Sequence, residues 1–241
     1  MKGVESLMFK FLQDLEGAQV LKSLLPNPEH KDAAFARMVV KAALPRNVSP
    51  AVMKNLRCVY VENNWPINLD SNHSYKGCKY SSYHIKDCYY VQVINHNPIT
   101  LAVSECEPLV LLNGYSVFDA GIIYSNRPHI EAATGKVLTY GLKAGYYAYM
   151  AHIKPDVESV TVVEKDQRVV HLFKKHLLPK FPNPEKISIV EDADPEAFDY
   201  IFVNDYLTVE EGIERYRNPI KGAAYWAEEL LRSQGVTNNE P

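Results

Sequence analysis

Apolar residues at Val4, Leu7, Met8, Phe11, Leu12, Leu15, Leu21 and Leu25 recur at helical spacing and predict one amphipathic helix, ended by Pro26 and Pro28. A second helix is predicted with Phe35, Met38, Val39 and Ala42 on its inner face, and Ser49-Pro50 has the form of a further helix start. At Arg57 the period changes. Arg57–Val61, Cys88–Asn95, Ile99–Ser104, Leu109–Leu112 and Val117–Tyr124 are β-branched or aromatic runs divided by turn residues, and Asn95-His96-Asn97-Pro98 reads as a hairpin turn. The pattern predicts an N-terminal α+β subdomain over 1–125, helices first and then an antiparallel meander.

After Pro128 the rhythm is strand, helix, strand, helix. Strands are expected at Val137–Tyr140, Ser159–Val163, Ile187–Val190 and Tyr200–Val203, with helices at Tyr146–His152, Gln167–Leu178 and Thr208–Leu231. Strands alternating with helices pair in parallel through right-handed crossovers. The expected domain therefore covers 126–241 and is α/β, a Rossmann-like parallel sheet with strand order 3-2-1-4 counted from Val137. No strand is expected beyond Asn204, which makes the sheet C-terminally shortened, and Gln234–Pro241 reads as a frayed tail.

Composition narrows the function classes. Of 241 residues, 46% are hydrophobic and 23% charged, an ordinary balance for a globular chain able to bury a core. The formal charge of −3 supplies no global basic field, so neither nucleic acid nor a membrane surface is an expected partner. No apolar run is long enough to span a bilayer. Cys58, Cys78, Cys88 and Cys106 are spaced too widely for paired zinc ligands and read as reduced structural thiols, so no metal site and a cytoplasmic location are expected. The segment Ser71–Tyr90 mixes His73, Tyr75, Lys76, Tyr80, Tyr83, His84, Lys86, Tyr89 and Tyr90. It fits either a polar-aromatic contact surface, at a cleft or between copies in a homo-oligomer, or a half-exposed hairpin with cross-strand aromatic pairs.

The candidate chemistry lies in Gly135–Tyr146, where a buried strand enters a glycine-bearing turn and then a helix. Glycines let the backbone approach a ligand closely, and the helix start presents N–H groups. Glu164 ends the next strand, about 20 residues on, where a carboxylate can accept from both hydroxyls of a ribose. A dinucleotide fingerprint needs glycine where this chain has Gly141, Lys143 and Tyr146. The adenosylmethionine-type spacing matches instead at Gly141 and Gly145. A plain strand-to-helix turn and a solvated strand-end charge remain the alternatives for these residues.

The run Gly141-Leu142-Lys143-Ala144-Gly145-Tyr146-Tyr147-Ala148-Tyr149-Met150-Ala151, with Val160-Thr161-Val162-Val163-Glu164-Lys165-Asp166, Leu172-Phe173 and Leu177–Phe181, resembles class I S-adenosylmethionine-dependent methyltransferases. It is most similar to an uncharacterised bacterial branch whose loop reads G-L-G-L-G-Y before F-A-Y-M-A, and more distantly to the polyamine synthases. The resemblance implies S-adenosylmethionine as cofactor. It implies that Gly141, Lys143, Gly145 and Tyr146 form the turn around the methionine part, Glu164 binds the ribose and Asp192 lies near the adenine. Asn204, Asp205 and Tyr206 would face the methyl donor and its acceptor, with Asp205 and Tyr206 as candidate catalytic bases for a small-molecule or otherwise unidentified substrate.

Lys143 replaces the middle glycine of the family loop, and its charge would pair with a carboxylate but oppose a sulfonium. Thr139 stands where many members carry an acidic residue. These departures, with the shortened sheet, open a second reading: a catalytically inactive methyltransferase-like module for nucleoside binding or assembly.

Overall fold

The computed structural model describes residues 57–60, 65, 69, 72–83, 89–94, 100–105, 109–118, 120–206, 209–226 and 228. The helices expected between residues 4 and 50, the hairpin turn at 95–98 and the tail after 233 lie outside them.

The expected runs of the N-terminal half appear as strands β1 (Arg57–Tyr60), β4 (Tyr89–Ile94), β5 (Thr100–Glu105), β6 (Leu109–Leu112) and β7 (Tyr115–Phe118), and the aromatic segment adds β2 (His73–Tyr75) and β3 (Cys78–Tyr83). They build two sheets rather than one continuous meander. One has the order β1-β5-β4, with β1 parallel and β4 antiparallel to β5. It falls in a compact unit comprising Met1–Asn63, His84–Glu107 and Asp119–Tyr124. Strand periodicity reports which faces are apolar; it carries little information about which distant strand becomes the neighbour, so the β1–β5 pairing was not legible.

The other sheet, β2-β3-β6-β7, is antiparallel throughout and belongs to the second unit, Asn64–Tyr83, Pro108–Phe118 and Ser125–Pro241. Its hairpins turn on Lys76-Gly77 (φ 46° and 81°) and Asn113-Gly114 (φ 51° and 91°). Consecutive positive φ values are the twist-matched geometry of two-residue hairpin loops. The Asn113 side chain accepts from Lys79 N–H at 2.9 Å and ties the two turns' neighbourhoods together.

Helix α1 spans Ala120–Ala132. The expected strand Val117–Tyr124 is thus corrected: it stops at Phe118, and Ile122, Ile123 and Tyr124 are helical. Their β propensity is a weak preference that tertiary context overrides. Then follow β8 (Gly135–Tyr140), α2 (Tyr146–His152), β9 (Val157–Val163), α3 (Gln167–His176), β10 (Ile187–Val190), β11 (Tyr200–Val203), α4 (Val209–Arg217) and β12 (Ala224–Tyr225).

Strands β8 to β12 form a parallel sheet in the order β10-β9-β8-β11-β12. The expected 3-2-1-4 order is therefore present, extended by one short strand. The expectation of helix over Thr208–Leu231 is corrected at this point. Asn218-Pro219 ends α4, because a residue before proline is disfavoured in the helical region. Gly222 (φ 74°) turns the chain, and Ala224-Tyr225 pairs with Phe202-Val203. The molecule is α/β and Rossmann-like in this sheet, with a separate antiparallel sheet beside it in sequence.

In-register parallel partners share a face, so Thr139, Val162 and Phe202 lie together on one side. On the other side Leu138, Tyr140, Val163, Ile201, Val203 and Tyr225 pack with Tyr206 and Tyr216 in one buried cluster. Among the described residues no helix is long and apolar enough to cross a membrane, and no group of three or more His, Cys, Asp or Glu is placed to hold a metal ion.

Candidate functional site

Parallel strands bring their C-terminal ends to one edge, and backbone bonds here carry the ladder past the strands themselves. Gly141 N–H donates to Val163 O (3.0 Å), Asn204 N–H to Tyr140 O (2.9 Å), Glu164 N–H to Val190 O (3.0 Å) and Trp226 N–H to Val203 O (2.9 Å). Gly141, Glu164, Asn204 and Trp226 thus line one edge at nearly equal height.

Gly141 has φ 90°, and a Cβ there would lie 2.3 Å from Asn204 O and 2.6 Å from Asp205 Cα. Only glycine fits both the left-handed backbone and the close approach of the following strand end. Gly145, at φ 80°, precedes α2, and its position leaves room only for the ring of Phe173. Between them Lys143 also has positive φ (47°), an uncommon state for a residue with a side chain.

The Lys143 side chain turns inward. It is 7% exposed; its Nζ donates to Asn204 Oδ1 at 2.7 Å and lies 4.4 Å from the centroid of the Trp226 ring and 6.0 Å from that of Tyr206. The Trp226 ring is itself fixed, its Nε1–H donating to Ser125 Oγ at 2.7 Å. From the antiparallel sheet, the Tyr80 hydroxyl donates to Lys143 O. Burial pushes the Tyr80 phenol well up, with Glu164, Cys78 and Asp166 adding negative charge nearby, so it stays a donor. Tyr146 packs against Phe118 (centroids 5.2 Å apart) and Trp65 (6.0 Å), which makes it a buried wedge that orients the start of α2. Within the aromatic segment, His73–Tyr83 is a hairpin whose Tyr80 buttresses the loop, while His73 stacks on His176 (3.7 Å) and Tyr75 on His171 (3.9 Å) of α3; Tyr89 and Tyr90 belong to β4 of the other sheet.

The Glu164 carboxylate faces the same loop. Oε2 accepts from Leu142 N–H at 3.2 Å and Oε1 from Asp166 N–H at 2.9 Å. Burial raises its pKa, and the backbone donors at Asp166 and Leu142 partly offset that rise. Each carboxylate oxygen accepts more than one hydrogen bond, so both retain capacity for a ligand hydroxyl. Asp166 caps α3 by accepting from Arg168 N–H at 2.9 Å, and its hydrogen bonds to the Arg168 side chain hold its carboxyl below the ordinary range.

The remaining candidates divide. Asp192 is exposed beyond β10, its Oδ1 accepting from Ala193 N–H at 2.9 Å. Asp205 is held by Arg215, with Nε 3.0 Å from Oδ2, and that guanidinium also covers the Tyr140 ring at 5.1 Å. The Tyr206 hydroxyl donates to Trp226 O, and burial, helped by the Asp205 charge, drives its pKa far above ordinary phenol. Sequence reasoning named Tyr80 only as one member of the aromatic segment and gave Trp226 and Asn126 no role, because the partners of a buried side chain depend on contacts that no local spacing encodes.

No protein-family model and no curated protein matches the chain. Solved structures similar to it include spermidine synthase from Thermotoga maritima, 16% identical with a TM-score of 0.37, covering 58% of this chain and 47% of that one. A spermidine synthase in complex with the transition state analogue AdoDATO is also 16% identical with a TM-score of 0.37, covering 61% of this chain and 51% of that one. The chain spans about half the length of these neighbours. The fold assignment above rests on the strand order and pairing of the molecule itself.

Proposed function

We propose that the parallel-sheet domain binds an adenosyl ligand at the Gly141–Gly145 edge, and that the chain is a transferase of the S-adenosylmethionine-dependent kind. The observation that carries this reading is Glu164. Its buried-side carboxylate stands at the end of β9, joined to the loop through Leu142 N–H, with lone pairs left for two adjacent hydroxyls. The residues fit the adenosine half of such a ligand. Gly141 keeps the Asn204 strand end close enough to form one wall, and exposed Asp192 stands at the next strand end for the base.

S-adenosylmethionine, when bound, supplies an electrophilic carbon on a sulfonium. This chain's own part would be to orient the acceptor and exclude water. Asp205 is the better candidate to take a proton, because the Tyr206 proton is held by Trp226 O and its phenol resists ionisation. A specific observation also favours the second reading, a non-catalytic nucleoside-binding module: the Arg215 guanidinium engages both Asp205 oxygens, at 3.0 and 3.3 Å. Isothermal calorimetry with S-adenosylmethionine, S-adenosylhomocysteine and 5′-methylthioadenosine tests the shared part. Micromolar to low-millimolar binding is expected; absence of heat for all at several millimolar would refute both readings. Radiolabelled methyl transfer into small-molecule pools then separates them.

A further inference from the structure

The formal charge of −3 averages over a chain whose charges are unevenly placed. No Asp or Glu stands between Asp70 and Asp87, and none between Asp166 and Glu185. The fold brings these two carboxylate-free segments together. On α3, Val169, Val170, Leu172 and Phe173 are buried, which leaves His171, Lys174 and Lys175 exposed. Strand β2 runs along the same helix, with Tyr75 stacked on His171 at 20° between ring planes and His73 on His176 at 13°. Lys76, at the hairpin turn, is exposed and has its Nζ 5.3 Å from the Tyr75 ring centroid. Lys76, Lys174 and Lys175 form no ion pair with any described residue. Burial holds the His176 imidazole below the ordinary range, and the strongest charges acting on it, those of His73, Lys175, His171 and Lys180, all push the same way. The ten residues of α3 make this basic stripe about 15 Å long.

We propose that the seam between the β2–β3 hairpin and α3 is a docking surface for the phosphate backbone of a nucleic-acid strand, gripped by Lys76, Lys174 and Lys175. The inference goes beyond the adenosyl-ligand reading and does not depend on it. A line of cations without carboxylates among them complements a line of phosphates, and at about 3.4 Å of axis per phosphate the stripe meets roughly four of them. A local field of this kind acts within about a Debye length, so the negative total charge of the chain does not cancel it. An anionic membrane is the poorer match. Membrane contacts add exposed apolar side chains to the basic ones, and the large hydrophobic residues exposed among the described residues, Tyr115 and Ile153, lie on neither segment. The rings of the seam are stacked on one another, so phosphates rather than bases are what the surface reads, and sequence preference is weak.

The test is fluorescence polarisation of the full chain with labelled single-stranded RNA and DNA 12-mers of mixed sequence at pH 7.5. At about 50 mM salt the wild type should bind with a Kd of about 10–100 μM, within the range of sequence-independent binding. Three phosphate contacts at about 0.7 each predict a slope near −2 for log K against log salt. Lys174→Glu with Lys175→Glu should weaken binding at least about tenfold and bring the slope to about −1 or shallower. Arg217→Glu with Lys221→Glu, on α4 and the turn after it, makes the same change in total charge and should weaken binding by less than about threefold. Lys76→Glu alone should weaken it about threefold, which keeps the claim testable should the double variant fail to fold. No binding of either 12-mer at about 200 μM wild-type chain overturns the inference, as does an equal loss in the two double variants. Binding to phosphatidylserine vesicles without binding to the 12-mers also overturns it, and assigns the stripe to a membrane. None of these results bears on the adenosyl reading, which calorimetry with S-adenosylhomocysteine tests separately.

Discussion

Replacing Gly141 by alanine should be among the most damaging single-methyl additions in this domain. At φ 90° an alanine pays roughly 1–2 kcal/mol for left-handed backbone. The new Cβ would then sit 2.3 Å from Asn204 O and 2.7 Å from Asn204 C, both backbone atoms that no rotamer change can move. Relief requires the ends of β8 and β11 to part by about 1 Å. That stretches Asn204 N–H to Tyr140 O, now 2.9 Å, and strains Gly141 N–H to Val163 O, now 3.0 Å. At about 1 kcal/mol for each bond, the total loss is about 3–4 kcal/mol, a large share of the roughly 5–15 kcal/mol that keeps a domain folded. Gly77→Ala is the internal control, since Gly77 has φ 81° but nothing within 4 Å of a built Cβ. It should lose only the conformational part, roughly 1–2 kcal/mol. Urea denaturation at constant slope measures both. If Gly141→Ala loses no more than Gly77→Ala, the close approach at the strand edge is not what this glycine accommodates.

Other consequences follow from the same geometry. Tyr206→Phe removes the donor to Trp226 O and should cost about 1–1.5 kcal/mol of stability. It should leave the affinity for S-adenosylhomocysteine unchanged within threefold by calorimetry; a large loss of affinity would put that hydroxyl in contact with ligand. His129 and His152 are both held below the ordinary histidine pKa, chiefly by burial. Their folded pKa values lie under the unfolded value of about 6.5. Below that pH the unfolded chain binds more protons, so stability is flat above pH 6.5 and falls as pH drops from there through the folded values. Melts at pH 7.5 and 5.5 should show the loss, and His129→Gln, which removes one titrating group, should lessen its slope; an unchanged slope would contradict the assignment to His129.

Much of the parallel sheet was legible because its strands are short apolar runs bounded by turn residues, and β10 and β11 fall where the periodicity puts them. The loop was legible because Gly141 and Gly145 stand at a strand-to-helix junction, and a right-handed crossover then forces Glu164 to the same edge. What escaped was of another kind. Strand β12 is two residues long, too short for any period to register, and it exists because Val203 presents an open ladder to Tyr225. The inward turn of Lys143 also escaped: lysine usually extends into water, and the Asn204 amide oxygen and the Trp226 ring that favour the buried place come from distant parts of the chain. The Tyr80 contact joins residues 63 apart in the chain, beyond the reach of local patterning.

The central claim is that Glu164 holds the ribose of an adenosyl ligand, and the most direct test is calorimetry of S-adenosylhomocysteine with wild type and Glu164→Gln. Glutamine keeps one oxygen for Leu142 or Asp166 N–H, and burial already disfavours the charged carboxylate, so folding stability should change by less than about 1 kcal/mol. Affinity should fall by about tenfold or more, since charge-assisted bonds to two hydroxyls contribute roughly 1.5–3 kcal/mol each before desolvation. Equal affinity in the two proteins would remove Glu164 from the site and the account with it.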